Sequence, residues 1–425
     1  MVKLACFPCE IQHREFDSKL LLASRVVSTS SNNIALIGYD RYFNSILQIA
    51  SASFLLDKSM STLMLNSRIR PCKERGGYVF INDEEGVNDL DETPEALDIR
   101  LDQRAIPFVD KYLAWGRDDA SFFASRKSAL ASKILIIGSH RYDLLNHIGH
   151  HLYREEIAAI KLLFGDFILF NDNLAVDHYD KNYAPPTHLF QASKDSQDRA
   201  DKEWDEIVEE HTLRRERVTS TIFNLLKVGL KVVIRPHPVY DPLYWCQKFR
   251  LHPNVQVIYQ GPVEPWIHAS RAVITTGCTT GLQSLYAKKP SYELSIGAVS
   301  RAFSSQVLPK CDGWKSFTDE SIKAASPAFD AARLLSKNRW NIHDSTTLEM
   351  AQLINPAMES LPHQDSLEWL SNIPKAYPQP PKWRNISSVD VHRRFSRILE
   401  VLGSRHSLQI QKVANSLYMI SHKKI

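Results

Sequence analysis

Apolar and polar positions alternate along the chain between two rhythms. Leu4 to Phe7, Ile34 to Ile37, Phe54 to Leu56, Tyr78 to Ile81, Tyr112 to Ala114 and Ile134 to Ile137 are short, continuous apolar runs. They are too short for helices and rich in β-branched and aromatic residues, so they predict buried strands. Between them, Arg14 to Val27 and Tyr42 to Ile49 space their apolar residues as an amphipathic helix does. The same pattern then starts again. Tyr153 to Leu163 predicts a helix and Phe167 to Phe170 a strand, and an acid-rich polar segment over 178–209 reads as a loop running into a helix. A helix over Thr212 to Leu230 feeds the strand Val232 to Ile234. Val255 to Tyr259 and Ala272 to Thr275 follow as strands, among helices at Pro265 to Arg271 and Leu282 to Ala287. Strands alternating with helices predict parallel sheets covered on both faces. No fixed period recurs, which excludes a solenoid.

The restart sets the expected boundaries: an N-terminal Rossmann-like domain over 1–150, a second over 151–373, and a tail over 374–425 behind the proline-rich stretch Pro374 to Pro381. Two such halves would face a cleft between their strand ends, an architecture suited to an activated donor on one side and an acceptor on the other. The tail carries Arg393, Arg394, Arg397, Lys412, Lys423 and Lys424 among Ile398, Leu399 and Leu402. Its cations read as solvated faces of a packed helix, with peripheral contact to a membrane surface as the alternative.

Composition narrows the class without deciding the function. A length of 425 residues holds two or three cores, and 44% hydrophobic with 24% charged residues is ordinary for a globular protein. A net charge of +4 is too small and too scattered for a nucleic-acid binder. No apolar run is long enough to span a bilayer and no leader pattern opens the chain, so a cytoplasmic protein is expected. Six scattered cysteines fit a reducing compartment, and Cys6-x-x-Cys9 has no second pair at zinc-ligand spacing.

Chemistry gathers at the predicted strand ends. Val232 to Ile234 stops at Arg235-Pro236-His237-Pro238, where proline ends the ladder and a guanidinium and an imidazole can both donate to phosphate oxygens. Thr275-Thr276-Gly277-Cys278-Thr279-Thr280-Gly281 joins a strand to a helix with small residues and hydroxyls; it suits an anion but lacks the Walker ending. A plain helix cap is the competing reading. After Tyr78 to Ile81 come Asp83-Glu84-Glu85-Gly86, carboxylates suited to acid or base work or to a solvated turn. Gly138-Ser139-His140-Arg141-Tyr142-Asp143 follows the last strand of the first half; Asp143 reads as nucleophile, base or helix cap, and Arg141 as an anion holder. Glu10, Arg14, Glu15, Asp17 and Lys19 crowd the first strand–helix junction, and Lys58 follows Asp57. Glu10, Arg14, Lys19 and Lys58 suit a carboxylated sugar or acceptor, and each alone also reads as structural.

Taken together, these stretches resemble the bacterial surface carbohydrate biosynthesis proteins. The resemblance rests on Glu10-x-x-x-Arg14-Glu15-Phe16-Asp17-Ser18-Lys19-Leu20-Leu21-Leu22, Leu56-Asp57-Lys58-Ser59, Asp83-Glu84-Glu85-Gly86 and Ala114-Trp115-Gly116. It continues through Gly138-x-x-Arg141-x-Asp143, Arg235-Pro236-His237-Pro238 and Gly277-Cys278-Thr279-Thr280-Gly281, about residues 8 to 293 in all. It implies a GT-B-like α/β fold, two Rossmann-like doubly wound domains facing a cleft, with C-terminal helices packing back on the first. More distantly, the acidic-Gly and His-Pro motifs are similar to those of sialyltransferases and Kdo transferases. By that resemblance Arg235, His237, Gly277, Thr279, Thr280 and Gly281 would hold the nucleotide and phosphate of a CMP-sugar. Glu84 or Glu85 would act as acid or base, and Asp143 as a nucleophile in a retaining route. Ser139-His140 stands where the family pattern has Asn-Pro or Ser-Pro, and Asn171-Asp172-Asn173 where Asn-Thr-Asn is usual.

The implied activity is a metal-independent transfer of a Kdo- or sialic-type sugar from a CMP donor to a glycan or lipid-linked acceptor of lipopolysaccharide, O-antigen or capsule, with no cofactor. The alternatives are a CDP-polyol phosphotransferase of the teichoic type and a non-catalytic assembly protein.

Overall fold

The computed structural model describes residues 2–84, 101–172, 212–237, 242–294, 306–311, 313–341, 344–364, 366–378, 387–403 and 407–423. The chain divides into two compact units. One comprises residues 1–154, 262–265 and 335–425, the other residues 155–261 and 266–334.

The first unit is built on β1 (Lys3–Cys9), β2 (Asn33–Tyr39), β3 (Ser53–Asp57), β4 (Tyr78–Ile81), β5 (Lys111–Ala114) and β6 (Ile134–Ile136). These are the six expected strands, and they pair in parallel in the order β2-β1-β3-β4-β5-β6. Leu4, Ala5, Cys6 and Phe7 are fully buried, as a central parallel strand with helices on both faces requires. Helix Gln12–Ser28 follows β1 and is buried over most of its length, down to its polar residues Glu15, Asp17, Ser18 and Lys19. A helix wrapped this closely must satisfy its polar groups internally.

The second unit has β7 (Phe167–Asn171), β8 (Lys231–Arg235), β9 (Val255–Val257), β10 (Ala272–Thr275) and β11 (Ser291–Glu293), all parallel, in the order β11-β10-β7-β8-β9. Its core joins Ile168, Phe170, Val232, Ile234 and Ile274 to Trp245, Phe249 and Phe329. The strand β11 was not read from the sequence, and β9 ends at Val257, short of Tyr259.

Two expectations are corrected. Residues 335–373, assigned to the second domain, belong to the first unit. Helix Thr346–Ser360 buries Met350, Ala351, Ile354 and Met358, and it packs on helix Gln12–Ser28. The tail is not purely helical. Helix Ser388–Leu402 is followed by β12 (Leu408–Ala414) and β13 (Leu417–His422), and β13 pairs antiparallel with β2 at the edge of the first sheet. Buried Leu408 and Ile410 alternate there with exposed Gln409 and Gln411, a period of two. Arg394 joins the tail helix to helix Gln12–Ser28 by two bonds to Asp17, at 2.8 and 2.9 Å.

Candidate functional site

In open parallel sheets ligands gather beyond the carboxyl ends of strands, where the direction of winding reverses. In the first sheet that reversal lies between β1 and β3, and the residues just past them, Glu10 and Lys58, form an ion pair. In the second sheet it lies between β7 and β10, whose last residues, Asn171 and Thr275, are register neighbours.

The first unit concentrates its charge around Glu84. Its carboxylate is 1% exposed, and Oε1 lies 2.7 Å from Lys19 Nζ and 3.0 Å from His140 Nε2. Lys19 also donates to Glu15 Oε2 at 3.2 Å and to the Pro8 carbonyl at 2.8 Å. His140 Nδ1 is 2.9 Å from Ser18 Oγ. Burial alone would push the Glu84 carboxyl up, but the Lys19 ammonium and then His140 outweigh it and hold it well below the usual carboxylate range. Burial likewise works against the Lys19 ammonium, and Glu84 with Glu15 reverses it, leaving the ammonium more firmly protonated than in water. Among the described residues Glu84 Oε2 has no hydrogen-bond partner, although it is buried. An unsatisfied ionised oxygen is costly, on the order of 1–3 kcal/mol, so this atom points to a missing donor.

Arg141 donates from NH1 to the Glu84 carbonyl at 3.0 Å and is 4% exposed. Its pKa is lowered, first by burial and then by the neighbouring Arg14. Arg14 itself reaches Glu15 Oε1 at 3.2 Å. The structure therefore brings Arg14, Lys19 and Arg141 together around Glu84.

Asp143 is engaged differently. It is fully buried and accepts from Thr346 N at 2.7 Å, Thr347 N at 3.1 Å and Ser345 Oγ at 2.9 Å, as well as from the Thr347 hydroxyl. Both oxygens are occupied in capping the helix that starts at Thr346. That geometry gives Asp143 a capping role on a helix from a distant part of the sequence, while the local helices are capped by Ser139 and Asn146.

In the second unit Arg235 is also consumed by the fold. NH1 and NH2 donate to the Gln260 and Gly261 carbonyls at 2.9 and 2.5 Å, and the guanidinium lies 5.5 Å from the centre of the Trp266 ring. Holding this loop is what its bonds accomplish; His237 follows on, partly exposed. The turn after β10 has the shape expected of it. Gly277 takes φ +82, Cys278 precedes helix Thr279–Tyr286, and Gly281 packs so tightly that a Cβ there would lie 2.8 Å from Thr275 Oγ1. Burial pushes the Cys278 thiol up, away from reactivity. Thr279 and Thr280 stand half-buried on the first turn.

Two groups here had no individual role in the sequence reading, although Thr276 lies in the turn it marked for an anion and Asn171 opens the Asn171-Asp172-Asn173 departure. Asn171 and Thr276 are each 3% exposed, and Asn171 Nδ2, Asn171 Oδ1 and Thr276 Oγ1 are buried without a hydrogen-bond partner among the described residues. Their position at the winding reversal was the available signal. Glu85 and Gly86 lie outside the described residues, as does Asp89-Leu90-Asp91, an Asp-x-Asp triplet that the metal-independent expectation passed over. Among the described residues no cluster of three His, Cys, Asp or Glu is placed to hold a metal, and no helix is long and apolar enough to cross a membrane.

No protein-family model and no curated protein sequence matches the chain. Solved structures do. The wall teichoic acid polymerase TagF, soaked with CDPG, is similar at TM-score 0.52 and 12% identity, over 84% of this chain and 88% of that one. S. aureus MnaA with UDP is similar at 0.50 and 12%, over 85% and 98%. The UDP-GlcNAc 2-epimerase from Methanocaldococcus jannaschii is similar at 0.50 and 13%, over 84% and 100%. At such identities the likeness concerns the fold, and the fold is the expected one: α/β, GT-B-like, with two Rossmann-like parallel sheets.

Proposed function

We propose that the protein is a glycosyltransferase of bacterial surface-polysaccharide biosynthesis that moves a sugar from a cytidine-activated donor to a glycan acceptor. The observation that carries this reading is Glu84: a carboxylate kept ionised by Lys19 and His140 through one oxygen, with the other buried and without a partner among the described residues past a strand's carboxyl end. An acceptor hydroxyl would supply the missing donor. Its oxygen attacks the anomeric carbon, its proton passes to Glu84 Oε2, and the bond from the anomeric carbon to the phosphate oxygen breaks with its electron pair leaving on phosphate. Because Asp143 is bound up in a helix cap, direct displacement with inversion is preferred to a covalent intermediate. Arg14 and Arg141 beside Glu84 suit a carboxylated sugar, which favours a Kdo- or sialic-type donor or an acidic acceptor.

The donor's phosphate would be met in the second unit by the Thr276–Gly281 turn, by His237, and by the amide of Asn171 and the hydroxyl of Thr276, which lie at the winding reversal without partners among the described residues. A CDP-polyol phosphotransferase is the second reading, favoured by the likeness to TagF. Calorimetry with CMP, CDP, UDP and GDP, followed by CMP-sugars and CDP-glycerol, separates the two. Binding of a cytidine nucleotide and loss of donor turnover in Glu84→Gln are the expected results. No cytidine binding, or full turnover in Glu84→Gln, would overturn the proposal.

A further inference from the structure

The sequence marked residue 140 only as a departure, a histidine where the family pattern has proline. In the structure His140 is fully buried and both ring nitrogens are engaged, Nε2 with Glu84 Oε1 at 3.0 Å and Nδ1 with Ser18 Oγ at 2.9 Å. It sits in the short 3-10 helix His140–Leu144, whose start is capped by the Ser139 hydroxyl. That helix is held at its other end by Asp143, so the imidazole is fixed by its own backbone as well as by its partners.

We propose that His140 is a positioning residue for Glu84. It and Lys19 both bind Oε1, so that Oε2 alone remains to take the acceptor's proton. The inference rests on Glu84 being the base. Lys19 alone would leave the carboxylate free to turn about its last torsion, because a flexible ammonium follows either oxygen. With its proton on Nε2, the rigid ring at 3.0 Å removes that freedom and fixes the plane in which the second oxygen is presented. The other charged and titratable groups facing this centre are Lys19, Glu15 and Arg14 on helix Gln12–Ser28, Cys9 at the end of β1, Arg141 beside His140, and Glu264 beyond Arg141. Of these, Lys19 is the group that shares Oε1 with the ring, at 2.7 Å, and Arg141 reaches the Glu84 carbonyl instead.

The test reads Glu84 directly and then through turnover. Infrared difference spectra against Glu84→Gln follow the carboxylate's titration with no substrate present. In His140→Leu the loss of one donor should move that titration to higher pH by about one unit. The acid limb of donor turnover should move the same way, and kcat should fall more than KM changes. His140→Gln, whose amide can still reach Oε1, should restore most of both. A His140→Leu protein that melts as the wild type does and keeps its carboxylate titration and acid limb would overturn the inference. The Gln variant supplies the same comparison if the Leu variant does not fold: unaltered kcat together with a titration shifted as far as one pH unit would also sink it. If Glu84→Gln instead retains full turnover, the reading of Glu84 as base fails, whatever the His140 variants show.

Discussion

Replacing Asp143 by alanine separates a catalytic from an architectural carboxylate. Four donors converge on it: the Thr346 and Thr347 amides and the Ser345 and Thr347 hydroxyls. The two hydroxyls in turn accept from Arg25, through Nε to Thr347 Oγ1 at 2.9 Å and NH2 to Ser345 Oγ at 3.0 Å. Guanidinium and carboxylate are thus bridged by two hydroxyls. Losing an N-cap costs roughly 0.5–2 kcal/mol, and hydrogen bonds to a charged group about 1.5–3 kcal/mol each before relaxation. Buried donors would be left unsatisfied and water would re-enter only in part, so Asp143→Ala should cost about 3 kcal/mol and Asp143→Asn about half as much. Denaturant unfolding followed by tryptophan fluorescence includes reporters beside the cap. Trp115 and Trp340 lie 5.4 Å apart and Trp340 is 4.8 Å from Tyr142, next to the cap. A wild-type unfolding midpoint in Asp143→Ala, with turnover abolished and a sugar adduct trapped in Asp143→Asn, would refute the cap argument and restore the nucleophile.

Three further outcomes follow from the same unit. The Glu84 carboxyl is depressed in the folded protein, so its contribution to stability is complete above the unfolded value of about 4.3 and is lost as pH falls through the lower folded value. The stability gap between wild type and Glu84→Gln should therefore be constant near neutrality and narrow below about pH 4, as urea midpoints at several pH values will show; a gap independent of pH down to strong acid would contradict it. Deleting residues 404–425 removes β12 and β13 and bares the edge of β2, which should lower the melting temperature and promote self-association by light scattering. Gly38→Val should act in the same direction, because a Cβ at Gly38 would lie 2.1 Å from the Ser416 carbonyl. A truncated chain as stable and monodisperse as the full one would show the hairpin to be dispensable.

The parallel strands were legible because buried β-branched runs leave a signal that needs no partner to be read. Val232 to Ile234 could only be a strand, and two prolines told where it ended. The helix-rich boundary at 335–373 was not legible, since what assigns it to the first unit is the cap on Thr346 from Asp143 and the packing of Met350 and Ile354 on helix Gln12–Ser28. Both are contacts between residues some two hundred or more positions apart, which no local pattern records. The tail hairpin was passed over for a different reason: its period of two is brief, and the neighbouring helical stretch set the expectation.

For the site, residue type proved a weaker guide than satisfaction. Arg235 has the chemistry of a phosphate ligand, yet its guanidinium is tied to two loop carbonyls, and Asp143 has the chemistry of a nucleophile, yet it caps the start of a helix. A charged group in a folded interior must find partners, and a fold that needs a loop held or a helix capped will use the strongest groups available. The groups left over are therefore the informative ones. Glu84 Oε2, the Asn171 amide and the Thr276 hydroxyl lie at strand ends of parallel sheets, are buried, and have no bond among the described residues. Two of these three residues are neutral; Glu84 and Thr276 lie in stretches that the sequence already marked, whereas nothing in charge or spacing marks Asn171. Buried polar groups without partners cost stability in the free protein, and they are kept at little net cost only where something else supplies the bond. On this argument the proposed donor and acceptor sites are marked less by the cations that first suggested them than by the hydrogen bonds that the described residues do not make among themselves.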